Sequence, residues 1–181
     1  METENRSWKG AASAFRARGE MDKLVELLRQ AADAGDAEAG IVLAKEYFDL
    51  RQFVNASDTL IRYEKQVSDD DAEAHWHIYL AYFLGIGEVD ILEKWRRGVR
   101  HLEIAAELSR IPQLLMEVAS YYENGLNGVP KDLALAENWL RKAAETGNDE
   151  AARRHRRVTS KLRKANRLGD GTRRGSEHAE V

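Results

Sequence analysis

The stretch from Leu114 to Ala151, LLMEVASYYENGLNGVPKDLALAENWLRKAAETGNDEA, constrains the fold of this chain more than any other. Leu114, Val118, Ala119 and Tyr122 share one face of a 3.6-residue period, which predicts a short amphipathic helix. Gly125 and Gly128 then permit a tight turn, and Pro130 pre-sets the backbone for a second helix start. That second helix carries Ala136, Trp139, Leu140, Ala143 and Ala144 as its stripe, and Gly147 stops it. The alanines let two helix backbones approach closely. Neither helix can bury its stripe alone, so the unit must stack on copies of itself.

Copies are present. The segment RQAADAGDAEA from Arg29 to Ala39 parallels RKAAETGNDEA from Arg141 to Ala151. Tyr47, Tyr82 and Tyr122 are 35 and 40 residues apart, within the range of helical-pair repeats, and Phe15 marks a truncated first copy 32 residues before Tyr47. The periodicity predicts helices over 7–17, 21–34, 37–49, 52–67, 72–84 and 91–108. Asp36 is placed to cap the third, and Ser68 with the aspartates 69–71 to open the fifth. Gly85-Ile-Gly87 supplies the next turn, and Gly98 and His101 stand where Ala136 and Trp139 stand later. A last helix over 149–165, with a thin stripe of Ala151, Ala152, His155, Val158 and Leu162, reads as a cap.

At Val118, Ala119, Tyr122, Gly125, Gly128-Val129, Asp132, Ala136, Trp139, Lys142-Ala143-Ala144, Gly147 and Ala151 the segment resembles the Sel1-like repeat, a relative of the tetratricopeptide repeat. Two departures are an extra residue between the turn glycines and Leu135 where the family usually has lysine. The resemblance implies an all-α fold: a right-handed α-solenoid of about four antiparallel helix pairs with a C-terminal cap helix. It also implies a module that holds another protein on its concave face.

Composition agrees with a helical protein and excludes several chemistries. Alanine, leucine, glutamate, lysine and arginine are abundant and there are two prolines among 181 residues. The absence of cysteine removes disulfides, thiolate catalysis and cysteine-ligated metal sites. No apolar run is long enough for a membrane span, and the N-terminus METENRSWKGAASAF lacks the apolar core of a secretory signal, so a cytoplasmic protein is expected. Net charge is −3 but unevenly spread. Residues 151–181 hold ten Lys/Arg against three Asp/Glu, while the preceding 150 hold 18 against 28. The expected domains are a helical-repeat domain over 1–165 and a disordered basic tail over 166–181.

No constellation in the sequence points to catalysis, a metal or a cofactor. His75 and His77 are two apart on a helix and cannot converge on one ion. No Ser/His/Asp set lies in a strand-turn-helix context, and Gly85-Ile-Gly87 lacks the Gly-Lys-Ser/Thr of a phosphate loop. The expectation is a protein that is not an enzyme and has no cofactor.

Two features point to binding instead. The helix over 72–84 is apolar nearly all round: beyond Ala74, Ile78, Ala81 and Tyr82 it presents Trp76, Tyr79, Leu80 and Phe83, which are either a second core face or anchors for a partner. The terminal helix carries Arg153, Arg154, Arg156 and Arg157, either a solvated face or a patch for phosphates or an acidic partner. No aromatic residue follows Trp139, so base stacking by this region is unsupported. The leading expectation is a scaffold or adaptor that binds a protein or peptide through the aromatic face. The alternative is a nucleic-acid-associated or regulatory protein acting through the basic end.

Overall fold

The computed structural model describes residues 7–86 and 90–176, with side chains from 8 to 167. Every regular element among them is helical: α1 (Ser7–Ala17), α2 (Met21–Asp33), α3 (Ala37–Asp49), α4 (Phe53–Arg62), α5 (Ala72–Phe83), α6 (Ile91–Ser109), α7 (Pro112–Asn124), α8 (Leu133–Glu145) and α9 (Asp149–Ser176), with one 3₁₀ turn at Glu64–Gln66. This is the all-α, helix-pair class that the sequence implies. The chain divides into two compact units, Met1–His101 and Leu102–Val181.

In the first unit each of α1 to α4 packs on the helix that follows it. Leu24 and Leu28 on α2, fully enclosed, form a core with Trp8 and Ala12 of α1 and Ala39, Leu43 and Tyr47 of α3. A second cluster joins Ala44 of α3, Leu60 of α4 and Ala74, Ile78 and Tyr82 of α5. Both obey the small-against-large logic of the repeat, since Ala39, Ala44, Ala56 and Ala74 are wholly buried where backbones meet. Asp36 caps α3 by accepting from the Ala39 amide at 3.0 Å, and its other carboxylate oxygen takes the indole N–H of Trp8 at 2.8 Å. One side chain thus starts α3 and pins α1.

Three local expectations are corrected or narrowed. The fourth helix ends at Arg62 rather than near Val67, because Tyr63 leaves helical geometry (φ −104°, ψ 13°) and the chain tightens into the 3₁₀ turn. Of Ser68 and the aspartates 69–71, it is Asp71 that caps α5, accepting from the Ala74 amide at 3.0 Å. Pro130 precedes α8 rather than starting it; Asp132 is the cap and accepts from the amides of Ala134 and Leu135. Gly87, the second glycine of the expected turn, lies outside the described residues.

In the second unit α7 packs on α8 and α8 on α9. Leu115, Val118 and Ala119 face Ala136, Leu140 and Ala143, all without measurable exposure. Gly125 ends α7 in the left-handed region at φ 69°, where its absent side chain leaves room for Lys131. Among the described side chains of α9, Ala151 and Val158 are the buried ones. That helix runs past Ala165, where the sequence reading expected the repeat domain to give way to a tail, and residues 177–181 lie outside the described ones.

Candidate interaction surfaces

On α5 the residues Ala74, Ile78 and Tyr82 are committed to the core. Of the other stripe, Tyr79 is a correction: only 3% exposed, it belongs to the core and is unavailable as an anchor. Gly98 on α6 lies against both core tyrosines: a Cβ there would be in ordinary contact with the Tyr79 ring at 3.6 Å and tight against the Tyr82 Cβ at 3.2 Å. Trp76 and Leu80 are half-buried. Phe83 is 53% exposed and its neighbour Leu84 64%. The rings form a ladder, Trp76 to Tyr79 at 5.3 Å between centroids and Tyr79 to Phe83 at 6.0 Å. A buried tyrosine therefore backs two accessible rings.

Beside this ladder lies a polar chain that includes His75 and Tyr82 of α5. Glu64 accepts from the Tyr82 hydroxyl at 2.6 Å and pairs with His101 Nε2 at 2.9 Å, while His101 Nδ1 meets His75 Nδ1 at 2.7 Å. With a carboxylate at one end, His101 donates through Nε2 and accepts at Nδ1, so His75 carries its proton on Nδ1. The His75 Nε2 is left buried and without a hydrogen bond. Burial pushes the Glu64 carboxyl up, but the bonds from His101 and Tyr82 outweigh it and hold the group below its ordinary range. Burial, and then the Glu64 bond, pushes the Tyr82 hydroxyl up to about 12. His75 is lowered by burial and by the neighbouring His101. His77 is lowered mainly by burial; it stacks on Phe48 with centroids 3.7 Å apart. Among the described residues no group of His, Asp and Glu is arranged to hold a metal ion.

The structure divides the basic patch of α9 in two. Arg154 is half-buried and donates to the Met116 carbonyl, the Ser120 hydroxyl and Glu123 of α7. Glu123 is only 6% exposed and also binds Lys161 at 2.8 Å, with Arg157 at 3.8 Å. Burial raises its carboxyl, and the bonds from Lys161 and Arg154 reverse that shift and hold it low. Arg154 and Lys161 therefore fasten α9 to α7. Arg153 and Arg156 are exposed and make no ion pair with any described residue. Sequence reasoning missed Glu123, because a glutamate inside a helix reads as solvated until another helix brings cations to it.

In α8, Trp139 lies in the core at 9% exposure, with the Lys142 ammonium 4.4 Å from its ring centroid and bonded to Glu107 of α6 at 2.5 Å. The family model described as the Sel1 repeat matches residues 25–36, 77–109 and 112–148. These segments hold most of α2, the larger part of α5 with all of α6, and α7 with α8. These segments of the chain are Sel1 repeats. No curated protein matches it in sequence.

Solved structures extend the comparison. The Sel1 chain is similar to c5321, described as a protective antigen present in uropathogenic Escherichia coli strains displaying an SLR fold, at 29% identity and a TM-score of 0.46. That match covers 70% of this chain and 26% of c5321, so the chain spans about a quarter of that relative's length. It is similar in fold to the MamA protein along its whole length, covering 100% of this chain and 99% of MamA, at 15% identity and a TM-score of 0.52. A Sel1 repeat protein from Oxalobacter formigenes matches at 20% identity and a TM-score of 0.45, over 79% of this chain and 64% of its own. The pair α3–α4 is left unmatched by the Sel1 model.

Proposed function

We propose that this Sel1-repeat protein is a non-enzymatic scaffold or adaptor that binds a partner polypeptide on its concave face, through the exposed aromatic side of α5. The observation that carries the reading is Phe83, a large aromatic left more than half exposed on a helix whose packing is already met by Ala74, Ile78, Tyr79 and Tyr82. Trp76 and Leu80 flank it half-buried, the arrangement of an anchor with one side supported and the other free. Tyr79 serves the site from behind by fixing both rings. The working compartment in this reading is the cytoplasm; no helix among the described residues is long and apolar enough to cross a membrane.

A second reading is favoured by one observation, the unpaired and exposed state of Arg153 and Arg156. Those two cations, rather than Arg154 and Arg157, are the ones free to meet nucleic-acid phosphates or an acidic regulator. The two readings separate in one experiment. Partners captured by the full-length protein are compared between wild type, W76A/F83A and R153A/R156A at low and high salt. Loss with the first pair at both salt levels supports the aromatic surface. Loss with the second pair, mimicked by salt, overturns it in favour of the basic helix.

A further inference from the structure

Counted from their N-caps, α4 and α8 are in the same register. Ala56 and Leu60 stand four and eight residues beyond Gln52, as Ala136 and Leu140 stand beyond Asp132, and all four are fully buried. Seven residues beyond the cap α8 has Trp139, and α4 has Thr59; ten beyond, α8 has Lys142, and α4 has Arg62. In α8 the cation lies over the indole. In α4 the cation remains and the ring is gone.

The space is not refilled. A cavity of about 260 Å³ opens there, lined by Thr59, Arg62 and Tyr63 of the α4 segment, Ala32 of α2, and Leu43 and Tyr47 of α3. Tyr63 cannot swing in to close it, because its hydroxyl donates to the Ala32 carbonyl at 2.9 Å and its ring rests on Gly40. In α6 His101, which follows Gly98 by three residues as Trp139 follows Ala136, is bound through both ring nitrogens. Charged groups of both signs stand at the cavity: Arg29, which donates to the Tyr47 hydroxyl at 3.1 Å, Arg62, Asp33 and Asp58. Arg62 and Asp58 have no ion-pair or hydrogen-bond partner among the described residues.

We propose that this cavity receives an aromatic side chain with a polar edge, tryptophan or tyrosine, from a partner polypeptide. The ring takes the place that Trp139 fills in α8, with the Arg62 guanidinium against its face and its N–H or O–H directed to the Asp58 carboxylate. A cationic side chain would meet Arg29 and Arg62, and an anionic one Asp33 and Asp58, so a neutral ring suits the balance of charge. The site is separate from α5 and shares with the proposed function only the premise that the ring is carried by a polypeptide.

The test uses a probe in place of that partner. The isotope-labelled full-length protein is titrated with N-acetyl-tryptophanamide, and with N-acetyl-leucinamide at the same concentrations, while backbone amide NMR shifts are followed. Saturable shifts at Thr59, Arg62 and Tyr63 with the tryptophan amide alone support the site. Thr59→Trp should weaken the probe about tenfold or more, with an unchanged helical spectrum and a melting temperature no lower than wild type. Arg62→Ala, at an exposed position, checks the same contact should the tryptophan variant misfold, and should weaken the probe several-fold. W76A/F83A should bind the probe as wild type does, whatever its effect on partner capture. Absence of saturable shifts, equal response to the leucine amide, shifts confined to α5, or undiminished binding by R62A would each overturn the proposal.

Discussion

The ring of Tyr63 occupies the space that any side chain on Gly40 would need. A Cβ built on Gly40 falls inside contact distance of three Tyr63 ring carbons, so the two residues form a socket and plug between α3 and the end of α4. From that socket the phenol reaches α2 and donates to the Ala32 carbonyl at 2.9 Å. Three helices are therefore tied through one glycine.

Gly40→Ala is expected to expel the ring and lose that hydrogen bond. The expected cost is about 1–3 kcal/mol, read as a lower urea midpoint, even though alanine favours helix. Tyr63→Ala in the same chain should recover part of the loss, because the clash and the ring disappear together. Strictly additive effects would show that the two residues are uncoupled.

Trp139→Ala removes a buried indole together with its cation partner. About 3–5 kcal/mol should be lost in chemical denaturation. An unchanged midpoint would reject the placement of Trp139 in the core of its repeat.

The divided basic patch gives opposite expectations for neighbouring arginines. Arg154→Ala leaves the buried Glu123 carboxylate with fewer donors, and about 1–3 kcal/mol of stability should go with it. R153A/R156A should leave the unfolding free energy within about 0.5 kcal/mol of wild type, as surface changes do. Equal destabilisation by both would contradict the fastening role of Arg154.

Acid should weaken the first unit before carboxylates titrate. His75 and His77 are lowered in the folded protein, chiefly by burial. Below the unfolded imidazole value of about 6.5 the unfolded chain binds more protons, so stability falls as pH drops through that point. Denaturation midpoints between pH 7.5 and 5.5 should decline, and His77→Phe, which keeps a ring stacked on Phe48, should flatten the decline. Glu64 and Glu123, held low in the fold, add their own loss only at lower pH, toward and below the usual carboxylate range.

Phe83→Ala removes an exposed ring, so the melting temperature should stay near wild type while partner capture weakens by about 2 kcal/mol. Tyr79→Ala should instead lower stability, since it empties a core position beside Gly98. Reversal of this pattern would show that the exposed aromatic side of α5 is structural.

Periodicity and turn residues made the helices and the repeat legible, because a stripe at 3.6 spacing and a glycine at a left-handed turn are local properties. Trp139, Ala136 and Leu140 could be assigned to the core from one segment alone. The candidate surfaces were legible only as alternatives. Tyr79 and Phe83 look alike along the helix, four residues apart on one stripe. Tyr79 is buried against α6, where Gly98 lies beside it, and the end of α5 leaves Phe83 in the open. Arg153 and Arg154 are adjacent in sequence and differ only because a helical step of 100° turns one toward Glu123 and the other to solvent. The cavity at Thr59 needed the fold as well, for a missing tryptophan becomes a space only when Gly40 and Tyr63 prevent its walls from closing. Local pattern decides which residues can be buried; the side chains brought from other helices decide which of them are.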